Sequence, residues 1–209
     1  MAASKYAVES IGTFFLVSAI GLTTIDPGGA GVWAPVAIAA TLIAMIYAGG
    51  HISGAHYNPA VTAAVTVRGK CFVADAIPYI VAQCVGAAAA AFLVLYLKSG
   101  AKITPITFVP IPALIAEALF TFALAFVILN VATAKANANN SHYGIAIGLV
   151  VLAGALCVGP ISGAVFNPAV ALALGLWGAV NWADLGPHVF GQFLGAVLAA
   201  IAFKMFVKE

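Results

Sequence analysis

A nine-residue motif occurs twice in the chain and constrains the fold more than any other feature of the sequence. Segments 53–61 and 162–170 read Ser-Gly-Ala-His-Tyr-Asn-Pro-Ala-Val and Ser-Gly-Ala-Val-Phe-Asn-Pro-Ala-Val, which agree at seven of nine positions. Asn58 and Asn167 therefore lie 109 residues apart, and each is followed by Pro-Ala and an apolar run. Asn is a favoured N-cap residue and Pro is favoured at the first helical position. Each copy predicts a helix that begins at its asparagine.

The sequence around both copies is too apolar for a soluble protein. Hydrophobic residues make up 64% of the chain and charged residues 7%, whereas soluble proteins carry about 25% charged residues. The net charge of +2 is too small, and the basic residues are too scattered, to indicate nucleic-acid binding. Because a spanning helix needs about 20 mainly apolar residues, we predict an all-α integral membrane protein. Its six transmembrane helices are predicted at about 6–24, 33–50, 76–97, 111–134, 143–159 and 185–203.

The duplication extends well beyond the motif. Segment 78–87 matches 187–196 at an offset of 109, and segment 9–14 matches 117–122 at an offset of 108. Such self-similarity indicates internal repeats, here about 1–100 and 109–209 within a single transmembrane channel domain, 1–209. Three spans per half is an odd number, so the second half enters the membrane upside down. The prediction is an inverted three-plus-three repeat, with its functional site near the midplane.

Two short helices, 58–68 and 167–177, are each about 16 Å long, roughly half of the hydrocarbon core. We predict two re-entrant half-helices, one from each side. Non-helical backbone at membrane depth must line a cavity or be buried by protein, so we expect an extended path before each asparagine with its carbonyls facing a pore. The residues of this path are Gly54, Ala55, His56, Tyr57, Gly163, Ala164, Val165 and Phe166. The amides of Asn58 and Asn167 supply donors where the half-helices meet, and both helix N-termini disfavour cations and protons there.

Charge at the loop ends predicts the orientation. With both termini in the cytoplasm, the basic residues divide six to two, in agreement with the positive-inside rule. The cytoplasmic group is Lys5, Arg68, Lys70, Lys135, Lys204 and Lys208, and the outer group is Lys98 and Lys102. We expect an integral protein of the cell membrane, plasma or inner.

Glu9 and Glu117 lie inside predicted spans, where an ionisable group suggests a function. They could carry protons in a secondary transporter, or each could accept hydrogen bonds from the backbone amides of the loop in its own half. Their symmetric placement favours the second role. A closed-pore structural membrane protein is a third alternative. No Ser/His/Asp set, phosphate loop or metal-ligand cluster is present in the sequence, so we expect no enzymatic activity, no cofactor and no metal.

The paired motifs resemble those of the aquaporin, or major intrinsic protein, family across essentially the whole chain. The residues are Asn58, Pro59, Ala60, Asn167, Pro168 and Ala169, and segment 50–62 is similar to the family's first-half signature. The resemblance implies an aquaporin-like fold and a homotetramer in membrane lipid, with one pore per subunit. Water and small neutral solutes would pass, protons and ions would be excluded, and no nucleic acid would bind.

The resemblance also assigns a selectivity filter, by the family's spacing from the two asparagines, to Ile38, Ala155, Ala164 and Val170. Most members carry Arg where this chain has Val170, although some plant vacuolar members also have Val and resemble water channels. The four side chains offer no hydrogen-bond donor, no aromatic ring and little bulk. We therefore expect a wider, apolar filter that admits water with ammonia, hydrogen peroxide, urea or small polyols such as glycerol.

Overall fold

The computed structural model describes residues 2–207, so Lys208 of the predicted cytoplasmic group lies outside the described residues. Within this part of the chain the regular structure is entirely helical, with eight α-helices joined by turns, short 3-10 or π segments and an irregular loop at 98–109. These are α1 (Ala2–Thr24), α2 (Ala34–Ser53), α3 (Pro59–Arg68), α4 (Val73–Leu97), α5 (Pro110–Ile128), α6 (Tyr143–Ser162), α7 (Pro168–Trp177) and α8 (Leu185–Phe206).

Six of these helical segments are long and apolar enough to cross a membrane, which confirms the predicted fold class. They are Ala3–Thr24, Gly31–Ser53, Val73–Leu97, Pro110–Thr133, Tyr143–Ser162 and Trp182–Phe206. The predicted boundaries are right to within three residues, and the ends of α2 and α6 differ for an identifiable reason. Both helices continue to the serine of the motif and stop at Gly54 and Gly163, which have φ values of 87° and 80°. Glycine adopts this left-handed conformation without the penalty of a Cβ atom.

The two half-helices begin at the asparagines, as predicted. The side-chain oxygen of Asn58 accepts hydrogen bonds from the amides of Ala60 and Val61, at 2.8 and 3.4 Å, and that of Asn167 accepts from Ala169 at 2.9 Å. Each helix has ten residues and ends at a left-handed glycine, Gly69 or Gly178. Ten residues rise about 15 Å, so each half-helix covers about half of the hydrocarbon thickness.

The long helices pack in equivalent pairs, α1 against α4 and α5 against α8. A methyl group on Gly86 of α4 would overlap the carbonyl oxygen of Ser10, and one on Gly195 of α8 would overlap that of Ala118. Glycine at these positions therefore permits the close backbone approach that stabilises helix pairs in a membrane. The repeat in the sequence therefore corresponds to a repeated helix–helix contact in the structure.

The half-helices form the centre of the molecule. α3 packs against α8 and α4, and α7 packs against α4. Fully buried alanines on both half-helices, Ala60, Ala64, Ala169 and Ala173, allow these contacts. Large apolar side chains such as Ile77 and Leu119 are more than half exposed on the outside, as expected for a surface that contacts lipid.

Candidate functional site

The two asparagines tie the half-helices together at the centre of the fold. Asn58 Nδ2 donates to the carbonyl oxygen of Phe166 at 2.8 Å, and Asn167 Nδ2 donates to that of Tyr57 at 2.9 Å. Both asparagines are 4% exposed. Each side-chain amide has two N–H groups, and among the described residues only one of the two is hydrogen-bonded. The second N–H of each asparagine therefore remains available to a molecule beside it.

This reciprocal pairing engages two carbonyls of the predicted ladder. The carbonyls of Tyr57 and Phe166 each accept a hydrogen bond from the asparagine of the opposite half, which leaves one lone pair on each oxygen. Tyr57 and Phe166 are 1% and 2% exposed. These two residues join the halves through their carbonyl groups.

The path before each asparagine is free of turns and bends but includes left-handed residues that a regular strand lacks. Ala55, Tyr57, Ala164 and Phe166 have φ values between 49° and 53°, so alternate residues of both loops are left-handed. A non-glycine residue held there costs about 1–3 kcal/mol and persists only where its surroundings enforce it. The symmetry of the four values indicates that both loops are held by the same kind of contact.

That contact is a buried carboxylate in each half. In the first half, Glu9 Oε1 accepts from Ser53 Oγ at 2.7 Å and from the His56 amide at 2.9 Å. Its Oε2 accepts from the Tyr57 amide at 2.7 Å and from Gln83 Nε2 at 2.8 Å. Four donors saturate the carboxylate of a residue that is 0% exposed, which is the arrangement that stabilises a buried ionised group.

Glu117 repeats the arrangement in the second half. Its Oε1 accepts from Ser162 Oγ at 2.7 Å and from the Val165 amide at 2.9 Å, and its Oε2 accepts from the amide of Phe166 and from Gln192 Nε2, both at 2.7 Å. Every donor has its counterpart in the first half at an offset of 109. Each glutamate thus accepts two backbone amides from the loop of its own half, next to that loop's left-handed residues.

The halves differ in the polar groups next to this frame. Thr62 Oγ1 accepts from Gln83 Nε2 at 2.9 Å, lies 3.1 Å from His56 Nδ1, and donates to the Asn58 carbonyl at 3.0 Å. The equivalent residues of the second half, Val165 and Ala171, have no side-chain hydrogen-bonding group. The first half thus contains an additional polar network that the second half lacks.

Sequence reasoning missed the residues that complete both frames. Tyr79 donates its hydroxyl to the Ser53 carbonyl at 2.7 Å, and His188 Nε2 lies 2.9 Å from the Ser162 carbonyl. Tyr79 and His188 occupy equivalent positions of the repeat, although their side chains are unrelated. The available signal was the serine that both copies of the motif share, because its position in the repeat marks Ser53 and Ser162 as equivalent parts of the two frames.

A cavity of about 190 Å³, the first cavity, lies on one side of the asparagine pair. All four predicted filter residues line it, together with both asparagines. The Tyr57 hydroxyl donates to the Met45 carbonyl and the Thr24 hydroxyl to that of Ile20, at 2.9 and 2.7 Å. Apart from these two occupied hydroxyls, the lining side chains with polar groups are His56, Asn58 and Asn167. The approach to the asparagines is therefore mostly apolar.

A second cavity of about 560 Å³ lies on the other side and has a more polar lining. Gly54 lines this cavity, and Lys70, Lys135 and several asparagines of the loop between α5 and α6 contribute polar groups. Six residues line both cavities, so the two adjoin: Ile46, Ala55, His56, Val61, Ile128 and Ile147. The remaining predicted ladder residues, Tyr57 and Gly163 to Phe166, line the first cavity only. Neither Glu9 nor Glu117 lines a described cavity.

Comparison with known proteins identifies relatives over the whole chain. The model of the family described as "Major intrinsic protein" matches residues 1–203. Aquaporin NIP1-4 of Oryza sativa subsp. japonica is 37% identical over 207 residues, covering 94% of this chain and 74% of that protein. Aquaporin AqpM of Methanothermobacter thermautotrophicus is 34% identical over 240 residues, covering 96% of each protein.

Two further relatives extend the comparison. Glycerol uptake facilitator protein-like 6 of Lactiplantibacillus plantarum is 32% identical over 214 residues, covering 98% of this chain and 99% of that protein. The aquaglyceroporin structure from Plasmodium falciparum superimposes with a TM-score of 0.81 over 99% of this chain and 97% of that one, at 20% identity. The matched structure shares the fold, and the family match covers nearly every residue. The protein is a passive channel for water and small solutes rather than an enzyme, and the chain belongs to the major intrinsic protein family.

Proposed function

We propose that water and small uncharged solutes cross the membrane from the first cavity to the second, past Asn58 and Asn167. The observation that carries this proposal is the reciprocal asparagine pair beside two adjoining cavities. The remaining N–H group of each asparagine serves as a donor to the passing molecule, in the only stretch where the first cavity offers side-chain amides. Pro59, Ala60, Pro168 and Ala169 hold these donors in place by starting the half-helices.

Ions and protons are excluded at the same point. The N-termini of α3 and α7 each carry roughly half a positive charge, and both lie at the asparagine pair. No carboxylate of the described residues lines either cavity to offset this potential. A cation would lose its hydration shell without compensation, whereas a neutral molecule meets no such cost.

The filter consists of Ile38, Ala155, Ala164 and Val170, which all line the first cavity. Because none of the four side chains has a donor or an aromatic ring, the filter is wide and apolar. We propose that it admits ammonia, hydrogen peroxide, urea and glycerol together with water. The similarity to a glycerol uptake facilitator-like protein supports the inclusion of glycerol.

Neither alternative function is favoured. A proton-coupled transporter would need Glu9 or Glu117 to reach the transport path, but both carboxylates are saturated by four donors and line no described cavity. A closed-pore structural protein would need bulky side chains at the filter. The side chains at those positions are small or aliphatic.

The basic residues support an orientation with both termini in the cytoplasm. The Arg68 guanidinium lies over the ring of Phe203, 4.6 Å from its centroid, so the end of α3 meets the end of α8 near Lys204. Lys98 donates instead to the carbonyls of Ile25 and Pro27 at the opposite end of α1. The larger basic group is therefore cytoplasmic in the cell membrane. Residues 1–209 form one channel domain with repeats of about 1–100 and 109–209, and four copies assemble as a homotetramer.

Stopped-flow light scattering on proteoliposomes tests the filter. We expect water permeability well above that of empty vesicles, together with permeability to at least one of the larger solutes. Val170→Arg adds bulk and a charge to the first cavity. It should reduce glycerol and urea flux by about tenfold or more, which corresponds to a permeation barrier higher by about 1.4 kcal/mol. Water flux should fall by less. Val189→Ile, outside both cavities, is the matched control. Vesicles permeable to water but tight to every other solute would overturn the wide-filter proposal, as would equal losses of water and solute flux.

A further inference from the structure

A third cavity of about 160 Å³ adjoins the second through Ser53, His56 and Lys70, and neither asparagine lines it. The N-terminal part of α1, the end of α2, and the turn that leads into α4 surround it. Lys5, Lys70 and Asp75 contribute charged groups, and His56 and Tyr79 form its inner wall. The pore mechanism assigns no role to this cavity.

The charges at this cavity are unbalanced. The ammonium groups of Lys5 and Lys70 make no hydrogen bond or ion pair with any residue of the described range. The carboxylate of Asp75 accepts a hydrogen bond from the Tyr6 hydroxyl at 2.9 Å and pairs with neither lysine. Two cations therefore face one anion, and the net charge favours an anionic occupant.

The other side-chain donors of the wall already have acceptors: Cys71 Sγ donates to the Phe72 carbonyl at 3.6 Å, and His56 Nδ1 lies 3.1 Å from Thr62 Oγ1. The Tyr79 hydroxyl donates to the Ser53 carbonyl, and Ser53 Oγ donates to Glu9. The two ammonium groups are thus the donors left for a ligand, and they come from separate segments of the chain. A phosphate group presents several acceptor oxygens and one to two negative charges, so it can engage both lysines at once. A single carboxylate is less well matched to two separated cations.

We propose that this cavity binds the phosphate group of an anionic ligand between Lys5 and Lys70. Two sources supply this chemistry, the headgroup of an anionic phospholipid and a soluble phosphate. Phe72, 80% exposed at the rim, offers an apolar contact that a lipid would use and inorganic phosphate would not. In the orientation proposed above, the cavity faces the cytoplasmic leaflet, where anionic lipids attract basic residues.

Calorimetric titration of the purified full-length protein in nonionic detergent tests the site, with inorganic phosphate and dioctanoyl phosphatidylglycerol as probes. We expect saturable binding of one molecule per chain by at least one probe. Binding of phosphate alone identifies a soluble source, and tighter binding of the lipid identifies the headgroup. Lys5→Gln and Lys70→Gln should each weaken binding about fivefold, equivalent to about 1 kcal/mol. Lys102→Gln, which removes an exposed basic residue of the outer group that lines no described cavity, should leave the affinity unchanged.

Asp75→Asn tests whether the ligand is an anion or a cation. Asparagine keeps an acceptor for the Tyr6 hydroxyl but removes the negative charge, so phosphate binding should strengthen about fivefold. A site for a cationic ligand would respond in the opposite direction. Absence of saturable binding by both probes, lysine variants that bind as tightly as Lys102→Gln, or weaker binding by Asp75→Asn would each overturn the proposal. Because the readout is binding, it does not depend on which solutes the pore conducts.

Discussion

The two re-entrant loops have the same frame and differ in what surrounds it. In each, a buried glutamate accepts four hydrogen bonds from a serine, two backbone amides and a glutamine at equivalent positions. The first loop adds Thr62 and His56, whereas the second has Ala171 and Val165 in their places. The conformation of a re-entrant loop therefore depends on the carboxylate frame, and the residues beside the frame are open to variation.

The aromatic rings beside the asparagines show the same pattern: they occupy equivalent positions in the two halves but contact different residues. Tyr57 packs against Gly12 and Gly49, where a methyl group would overlap its ring or hydroxyl. Phe166 instead stacks on Phe120, with ring centroids 5.6 Å apart, and lies against Gly154. The two halves thus surround equivalent rings with different combinations of large and small residues. Packing density constrains the sum of the volumes more strongly than any single side chain.

Removal of either glutamate should have the largest effect on stability. Glu9→Ala or Glu117→Ala leaves buried donors without an acceptor, and we expect each to cost about 3 kcal/mol or more in the free energy of unfolding. The loss for Glu117→Ala should be about 1 kcal/mol larger than the loss for Glu9→Ala. Gln83 retains Thr62 as an acceptor, whereas Gln192 has no such alternative. Unfolding in mixed micelles by titration with a denaturing detergent measures both, with Asp75→Ala as a control for loss of a carboxylate. Equal losses would contradict the difference between the halves.

Replacement of the asparagines should have an intermediate effect. Asn58→Ala and Asn167→Ala each remove a helix cap and one hydrogen bond to the opposite loop, at a cost of about 2 kcal/mol. We expect Asn58→Ala to be the more harmful by a few tenths of a kcal/mol, because its oxygen accepts from two amides rather than one. The same unfolding assay applies, and Asn181→Ala, on an exposed turn, serves as the comparison. A loss below that of Asn181→Ala would contradict the reciprocal pairing.

Thr62→Ala should have the smallest effect, because it makes the first loop resemble the second. Gln83 and His56 lose a shared partner but Gln83 keeps Glu9, so we expect a loss of about 1 kcal/mol. The loop conformation itself should persist, since the carboxylate frame remains. Unfolding and water permeability measured on one preparation check both statements, with Thr66→Ala as the control for loss of a threonine on α3. A collapse of permeability would mean that Thr62, and not only Glu9, holds the loop.

The fold was predictable from the sequence because its determinants are local. Six apolar segments, the Asn-Pro starts at 58 and 167, and an odd number of spans per repeat together predicted the inverted arrangement. The left-handed residues Ala55 and Ala164 were not predictable, because nothing local favours that conformation for alanine. It is enforced by carboxylates about 45 residues away in sequence. The engagement of the Tyr57 and Phe166 carbonyls was hidden for the same reason, since their partners lie 110 and 108 residues away.

The exchange of hydrogen bonds between the two asparagines also bears on how such a chain could arise and mature. Each half contributes one side-chain amide and one carbonyl that pair with the other half. During synthesis, the N-terminal half therefore cannot form these two hydrogen bonds until the second half has inserted into the membrane. A polypeptide of half this length, inserted in both directions, would find the same match in a second copy of itself. Fusion of two such copies would remove the need for dual insertion and let each loop diverge separately.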